Sequence, residues 1–267
     1  MDGEYDLNNE VTLTDLQAGV FEIRINRTQR MNALGVQTVK DLSLAVQQAS
    51  NRQARVLLIR GSEQVFCAGA DLKERKGMTQ QEKVEHNAAI NEVFNVIANL
   101  PFVTIAVING LALGGGLELA MTCDFRFAAQ RVKIGLTESR IGVFPGAGGT
   151  QRLPRLIGKA RALEMMLSAE PIESEFAYSI GLVNAVFASV ELDDRVHAYA
   201  QLLASRSPNA QAQIKRLVND GLDLPLSEAL ALERQALPAI LESPDYAEGL
   251  LAFEEKRPPR FAALRQQ

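Results

Sequence analysis

The sequence predicts an α/β protein, and three observations carry that prediction. Short apolar runs rich in β-branched residues alternate with longer stretches of helical periodicity. Glycine and proline mark the breaks between them, and from about residue 192 onward only helical periodicity remains. Strands separated by helices pair in parallel through helical crossovers, which is the α/β arrangement.

The elements follow in chain order. Residues 21–25 (FEIRI) alternate apolar and polar side chains, as a strand does. Residues 38–49 place Val39, Leu42, Ala45 and Val46 at helical spacing, and 56–59 (VLLI) read as a buried strand ending at Gly61. Ile90, Val93, Phe94 and Ile97 repeat at i, i+3, i+4 and i+7, one face of a helix. Pro101 stops that helix, because proline offers no amide to the helical ladder, and 103–108 (VTIAVI) follow as a β-branched buried strand. A helix is expected over 117–123, short strands over 125–128 and 133–136, a helix over 160–168 and an extended segment over 182–187. The predicted division is an α/β core over 1–191 and a helical subdomain over 192–267, of a size that seldom stands alone. In that second part 226–241 reads as helical, carrying Leu226, Ala229, Leu230 and Leu232 ahead of Pro238.

Composition narrows the function. The 267 residues are 47% hydrophobic and 22% charged, enough apolar surface for one large core. Lysine and arginine number 28 against 32 acidic residues, a net charge of −4, so no global positive field draws nucleic acid or an anionic membrane. Two cysteines, Cys67 and Cys123, make neither a disulfide scaffold nor a four-cysteine metal site, and both read as small core residues. His86 and His197 are the only histidines and read as surface residues, leaving proton chemistry to carboxylates. Residues 93–117 carry no charge over 25 positions, a length that suits a bilayer-spanning helix of ~20 residues. Asn95, Asn99, Pro101, Asn109, Gly110 and Gly114 to Gly116 break the run into helix, strand and glycine loop. The acidic N-terminus does not resemble a signal peptide. The expected setting is bacterial cytoplasm, or the mitochondrial matrix if a presequence has been removed. Without a secretory signal, the sequon Asn26-Arg27-Thr28 carries little meaning.

Three segments carry candidate chemistry. Residues 66–73 (FCAGADLK) are small enough for a close backbone approach, and taken alone fit a surface turn equally well. Residues 110–119 (GLALGGGLEL) run a buried strand into three glycines and a helix start, where unpaired amides favour an oxyanion. Neither a dinucleotide fingerprint nor a P-loop is present. Glu118 lies in an apolar helix, where an unpaired carboxylate costs several kcal/mol to bury; it either has a chemical role or faces outward. Glu138 follows 20 residues later, ahead of the glycine-rich stretch 145–152 (PGAGGTQR). Two carboxylates flanking one substrate divide the work of base and acid, although spacing alone does not show that they meet.

Together these segments resemble the crotonase, or enoyl-CoA hydratase/isomerase, superfamily over nearly the whole chain. The resemblance implies a spiral of ββα units with a C-terminal helical subdomain, and homo-hexamers built as dimers of trimers. It implies acyl-CoA thioester substrates and fatty-acid or lipid metabolism, with no metal or further cofactor. Matched position by position, it implies an oxyanion hole from the backbone amides of Ala70 and Gly115, with Glu118 as base toward water and Glu138 as proton donor to C2. Coenzyme A or substrate contacts are implied at Arg30, Ala68, Asp71, Leu72, Lys73, Phe253 and Lys256. Phe253 and Lys256 would serve a neighbouring subunit's site. The sub-pattern resembles the methylglutaconyl-CoA hydratase branch, whose substrate belongs to leucine degradation and calls for a cation in the acyl pocket; Arg75, Lys76 and Arg140 are candidates. An RNA-binding lysine comb in that branch matches Met31, Val36, Lys40 and Leu44 here, a single lysine, so no nucleic-acid partner is expected. The expectation is a hydro-lyase acting on 2-enoyl-CoA. The alternatives are a methylglutaconyl-CoA hydratase, a Δ3,Δ2-enoyl-CoA isomerase, or a non-catalytic acyl-CoA or RNA-binding module.

Overall fold

The computed structural model of the chain describes residues 5–7, 10–62 and 64–261, with side chains from residue 10 onward. β1 (Tyr5–Leu7), β2 (Val11–Asp15) and β3 (Val20–Ile25) form an antiparallel meander, and α1 (Val36–Asn51) returns the chain to β4 (Val56–Gly61). The chain then repeats one step. β4 turns at once into β5 (Val65–Cys67), followed by α2 (Leu72–Arg75) and α3 (Gln80–Ala98). β6 (Val103–Ile108) turns into β7 (Leu111–Leu113) and α4 (Gly115–Ala120). β8 (Phe125–Ala129) turns into β9 (Lys133–Gly135), α5 (Gly149–Ile157) and α6 (Lys159–Ser168). β10 (Ile172–Glu173), α7 (Ser174–Ser179) and β11 (Ala185–Phe187) complete the strands.

The first strand of each step joins a seven-stranded sheet in the order β1-β2-β3-β4-β6-β8-β11. The second joins a four-stranded sheet in the order β10-β9-β7-β5. Pairing is parallel from β3 through β11 in the large sheet, and parallel among β5, β7 and β9 in the small one. This is a ββα spiral in which each turn adds one strand to both layers. The corners between layers demand glycine for space. A Cβ on Gly61 would stand 2.0 Å from the Val65 carbonyl oxygen, and one on Gly110 only 1.8 Å from that of Gln64.

β4 and β6 are buried at every residue, which is why they read as unbroken apolar runs. Val39, Leu42 and Val46 of α1 and Ile90, Phe94 and Ile97 of α3 share a core with Leu57 and Ile59 of β4. On the other face α8 (Leu192–Ala204) sets Leu192, Val196, Ala200 and Ala204 against Val20, Val56, Leu58 and Ile105. The sheet core thus extends past residue 191 into the first of the C-terminal helices. α9 (Pro208–Gly221) is tied to the core by Lys215, whose Nζ lies 2.7 Å from Asp124 Oδ2 and donates to the Phe102 carbonyl at 2.7 Å.

α10 (Leu226–Leu241) and α11 (Pro244–Glu254) follow. α10 has the expected bounds and runs through Pro238, and Glu242 N–H donates back to the Pro238 carbonyl. It buries none of its side chains and exposes Leu226, Leu230, Leu237 and Leu241. Two further expectations shift. The helix expected over 117–123 begins on the glycines at Gly115 and ends at Ala120, and the stretch after Gly148, read as loop, is the helix α5. No helix among the described residues is long and apolar enough to cross a membrane.

The corner glycines yield a stability prediction. Gly110→Ala, which meets backbone at 1.8 Å, lowers unfolding free energy by about 3 kcal/mol in urea titration. Gly249→Ala, inside α11 with nothing within 4 Å of its Cβ, leaves it unchanged or raises it by up to ~1 kcal/mol.

Candidate active site

The segment leaving β5 is stitched to residues 31–34. Ala68 N–H donates to the Met31 carbonyl (3.1 Å), Leu34 N–H to that of Gly69 (2.8 Å) and Asp71 N–H to that of Leu34 (3.2 Å). Gly69 sits at φ +90°, and a Cβ there would lie 2.9 Å from the Gly115 nitrogen, so this loop passes against the first residue of α4 with only backbone between them. The Ala70 nitrogen lies 3.5 Å from where a Cβ on Gly115 would stand. Among the described residues, neither Ala70 N–H nor Gly115 N–H is given to a hydrogen-bond acceptor. Two free backbone donors therefore lie side by side, the arrangement that stabilises charge developing on a carbonyl oxygen.

Glu118 projects from α4 and is 3% exposed. Its Oε1 accepts from Ala147 N–H at 2.7 Å and Gly149 N–H at 2.8 Å. The loop that supplies these amides is itself held: Asn87 and Asn91 donate to the Gly146 carbonyl at 3.1 and 2.9 Å, and Arg152 Nη1 to that of Ala147 at 3.1 Å. Glu138 opens a 3-10 turn (Glu138–Ile141) after β9. Its Oε1 lies 3.1 Å from where a Cβ on Gly114 would stand, beside the two free donors. Its Oε2 is buried and has no hydrogen-bond partner.

The two carboxylates answer to different surroundings. Burial raises the proton affinity of Glu118, opposed by the Gly149 and Ala147 amides and by the charges of Arg152 and Arg75. Burial also raises Glu138, and the charge of Glu118 raises it further, to about 7, against only backbone amides of its own turn. No arginine offsets that rise. The proton affinity of Glu138 is thus raised with little to oppose it, while that of Glu118 is held back by two amides and two arginines.

His86 corrects the surface reading: it is 5% exposed, facing inward from α3. Its Nδ1 accepts from Arg75 Nε at 3.3 Å, and burial followed by the Arg75 charge depresses its proton affinity. Arg75 is half-buried at the end of α2, and its charge acts on Glu118. Lys76 is exposed, and Arg140 pairs at the surface with Glu170 at 2.7 Å. His197 is half-buried on α8. Both cysteines are buried as expected, and desolvation pushes their thiols up to about 12.

The remaining predicted residues separate. Ala68 is half-buried in the loop, while Leu72 and Lys73 are exposed at its rim. Asp71 turns inward, 3% exposed; its carboxylate accepts from Lys73 and Glu74 N–H at 3.0 Å each and pairs with Arg27 at 2.7 Å. Arg30 Nε lies 4.0 Å from the same carboxylate. Phe253 and Lys256 are exposed at the end of α11, which packs on α10, and no hydrogen bond or ion pair among the described residues joins them to the site within one chain. Sequence reasoning missed Arg152 and the amides of Ala147 and Gly149. The glycine-rich stretch was visible, but not that its amides turn toward Glu118. No group of three or more His, Cys, Asp or Glu side chains among the described residues is placed to hold a metal ion.

Comparison with known proteins places this geometry. A family model described as enoyl-CoA hydratase/isomerase matches residues 15–264. The mitochondrial methylglutaconyl-CoA hydratase of Mus musculus is 42% identical over 255 residues, covering 93% of this chain and 81% of that protein. The mitochondrial enoyl-CoA hydratase domain-containing protein 2 of Homo sapiens is 41% identical over 249 residues, covering 91% of this chain and 85% of that protein. A crystal structure of enoyl-CoA hydratase from Bacillus anthracis superposes with a TM-score of 0.93 at 36% identity, covering 96% of this chain and 100% of that one.

The protonated state of Glu138 has a stability consequence. Its folded-state value, about 7, lies above the ordinary 4.5. The favourable contribution is therefore complete below the ordinary value and is lost as pH rises through the folded one. Glu138→Gln, which needs no proton, melts at the wild-type temperature at pH 4 and several degrees above it at pH 8, as read by thermal denaturation.

Proposed function

The chain belongs to the enoyl-CoA hydratase/isomerase family, and on that premise we propose that it is a hydratase, adding water reversibly and syn across the 2,3 double bond of a 2-enoyl-CoA. The observation that carries the reading is the unequal glutamate pair. Moving a double bond needs one group to carry a proton, whereas hydration needs a base for water and an acid for carbon at the same time. Glu118, between two arginines and two amides, supplies the base; Glu138, whose proton affinity is raised to about 7, supplies the acid.

In this mechanism the thioester carbonyl lies against Ala70 and Gly115 N–H. Conjugation with that carbonyl makes C3 electrophilic, so the reading assigns no metal or redox cofactor. Glu118 takes a proton as the water oxygen bonds to C3, and the electron pair of the double bond moves onto the thioester oxygen as an enolate held by the two amides. The enolate collapses by taking the Glu138 proton at C2. One hydroxyl and one hydrogen have then been added, and exchange of a proton from Glu118 to Glu138 resets the pair. Loss of one oxyanion donor typically costs about 3 kcal/mol of transition-state stabilisation.

Arg75 supports a narrower reading, in which the acyl chain ends in a carboxylate as in methylglutaconyl-CoA. Of Arg75, Lys76 and Arg140, Arg75 alone is half-buried and acts on Glu118, and His86 engages its Nε while no acceptor among the described residues takes its Nη groups. The exposed leucines of α10, with Ile214 and Val218 of α9, support a homo-oligomer, a hexamer of two trimers. In that assembly Phe253 and Lys256 reach coenzyme A in a neighbouring site, alongside Arg30 and Lys73 of the site's own chain.

Wild type consumes the ultraviolet absorbance of crotonyl-CoA, and Glu118→Gln lowers kcat by about 10²–10⁴-fold. Conversion of a 3-enoyl-CoA without hydration of the 2-enoyl isomer would instead identify an isomerase. The kcat/KM profile is a bell, falling on the acid side as Glu118 gains a proton and on the alkaline side above about 7 as Glu138 loses one. Arg152→Gln moves the acid limb upward. Arg75→Gln does the same and costs a carboxylate-bearing substrate about 10–100-fold more in kcat/KM than crotonyl-CoA.

A further inference from the structure

Arg27, in the middle of the unused sequon, is met by three carboxylates. Nη1 lies 2.7 Å from Asp71 Oδ2, Nε 2.9 Å from Glu10 Oε1 and Nη2 3.7 Å from Glu74 Oε2. Nη1 also donates to the Ala33 carbonyl at 3.2 Å, and Arg27 N–H donates to Asn32 Oδ1 at 2.8 Å. Asn32 in turn donates to the Val65 carbonyl at 2.7 Å, and Glu74 accepts from Val36 N–H, the first residue of α1, at 3.2 Å. The guanidinium thus joins the segment before α1 to the loop that carries Ala70, and the Arg27 backbone N–H reaches the β4–β5 corner through Asn32.

We propose that Arg27 is the positioning residue of the Ala70 oxyanion donor, acting through Asp71 and never touching substrate. This rests on the reading above, in which Ala70 N–H holds the thioester oxygen. That N–H shares its peptide plane with the Gly69 carbonyl, which accepts from Leu34 N–H at 2.8 Å, and the next peptide gives Asp71 N–H to the Leu34 carbonyl at 3.2 Å. On one side stands Gly69, whose conformation at φ +90° any relaxation of the loop readily alters. On the other side stands Asp71, and Arg27 fastens both edges of this pairing, donating to the Ala33 carbonyl before Leu34 and to the Asp71 carboxylate. Asp71 holds α2 in place through the Lys73 and Glu74 amides, and its carboxylate is buried. Without Arg27 that carboxylate is a buried charge lacking its close partner; it turns toward water and takes the Ala70 peptide with it. Arg30 does not replace Arg27, because it is 4.0 Å away and more than a third exposed. The carboxylate of Asp71 therefore serves the loop rather than a ligand.

The test pairs Arg27→Gln with the double variant Arg27→Gln/Asp71→Asn, in which asparagine still caps α2 but leaves no buried charge. Two ligands separate positioning from folding. Acetoacetyl-CoA, a 3-ketoacyl thioester, reports oxyanion stabilisation through the near-ultraviolet band of its bound enolate, and butyryl-CoA reports ground-state binding. Arg27→Gln is expected to lose the enolate band and about 30–100-fold in kcat on crotonyl-CoA. Butyryl-CoA affinity and KM should stay within about 3-fold, because neither depends on transition-state charge. The double variant is expected to recover the band and most of kcat. Arg27→Lys keeps the charge but loses the fork; it should show the same selective loss in milder form, and carries the test if the glutamine variant is insoluble. A wild-type band and kcat in Arg27→Gln, or equal loss of kcat and butyryl-CoA binding with no recovery in the double variant, overturns the proposal. Absence of the enolate band and of hydration in wild type itself overturns the parent reading and this one with it.

Discussion

Two carboxylates within each other's field, both largely removed from water, do not both stay ionised at neutral pH. That repulsion between Glu118 and Glu138 is the constraint around which the rest of the site is arranged. Glu118 receives every compensation: two amides on one oxygen, and arginines from two different helices. Glu138 receives only amides of its own turn and keeps one oxygen buried without a partner. The proposed hydration uses that inequality, taking the better-compensated group as base and the other as acid. The cost falls on stability, which is the usual exchange at a site shaped for proton transfer.

The spiral makes this arrangement available. Each turn carries a strand from the large sheet to the small one, so the loops after β5, β7 and β9 emerge near one another. Residues far apart in sequence then meet backbone to backbone. A Cβ on Gly116 would stand 2.0 Å from the Cys67 carbonyl oxygen, and one on Gly149 would stand 2.9 Å from Glu118 Oε1. The glycines are present for proximity: they let main chain replace side chain as the lining, and the donors that the proposed mechanism offers to the thioester oxygen are amides. Amides need orientation rather than chemical identity, which is why a residue such as Arg27, remote from the reacting atoms, acquires functional weight.

Much of this was legible beforehand. The strands at 56–59 and 103–108 were plain because burial on both faces leaves an unbroken apolar run, and the α1 and α3 faces because one-sided burial leaves a helical period. Glu118 stood out as a charge in an apolar helix. Less legible were elements set by partners distant in sequence. β5 and β7 are three residues each and pair only with each other and β9, so no local period announces them. α5 begins on glycines that read as loop, and its start is fixed by Gly149 donating to Glu118 across 31 residues. His86 sits among polar neighbours in sequence yet faces inward, because Arg75 arrives from another helix to meet its Nδ1.

The central claim is that two carboxyl groups, acting together, add a hydroxyl and a proton to one face of a double bond. Its most direct measurement is hydration of crotonyl-CoA in deuterium oxide, followed by proton NMR of the 3-hydroxybutyryl product. The account predicts a single deuterium at C2, placed syn to the new hydroxyl at C3, as read from the coupling between the remaining C2 and C3 protons. Deuterium placed anti to the hydroxyl, scrambled over both C2 positions within one turnover, or found at C4 without hydration would contradict it.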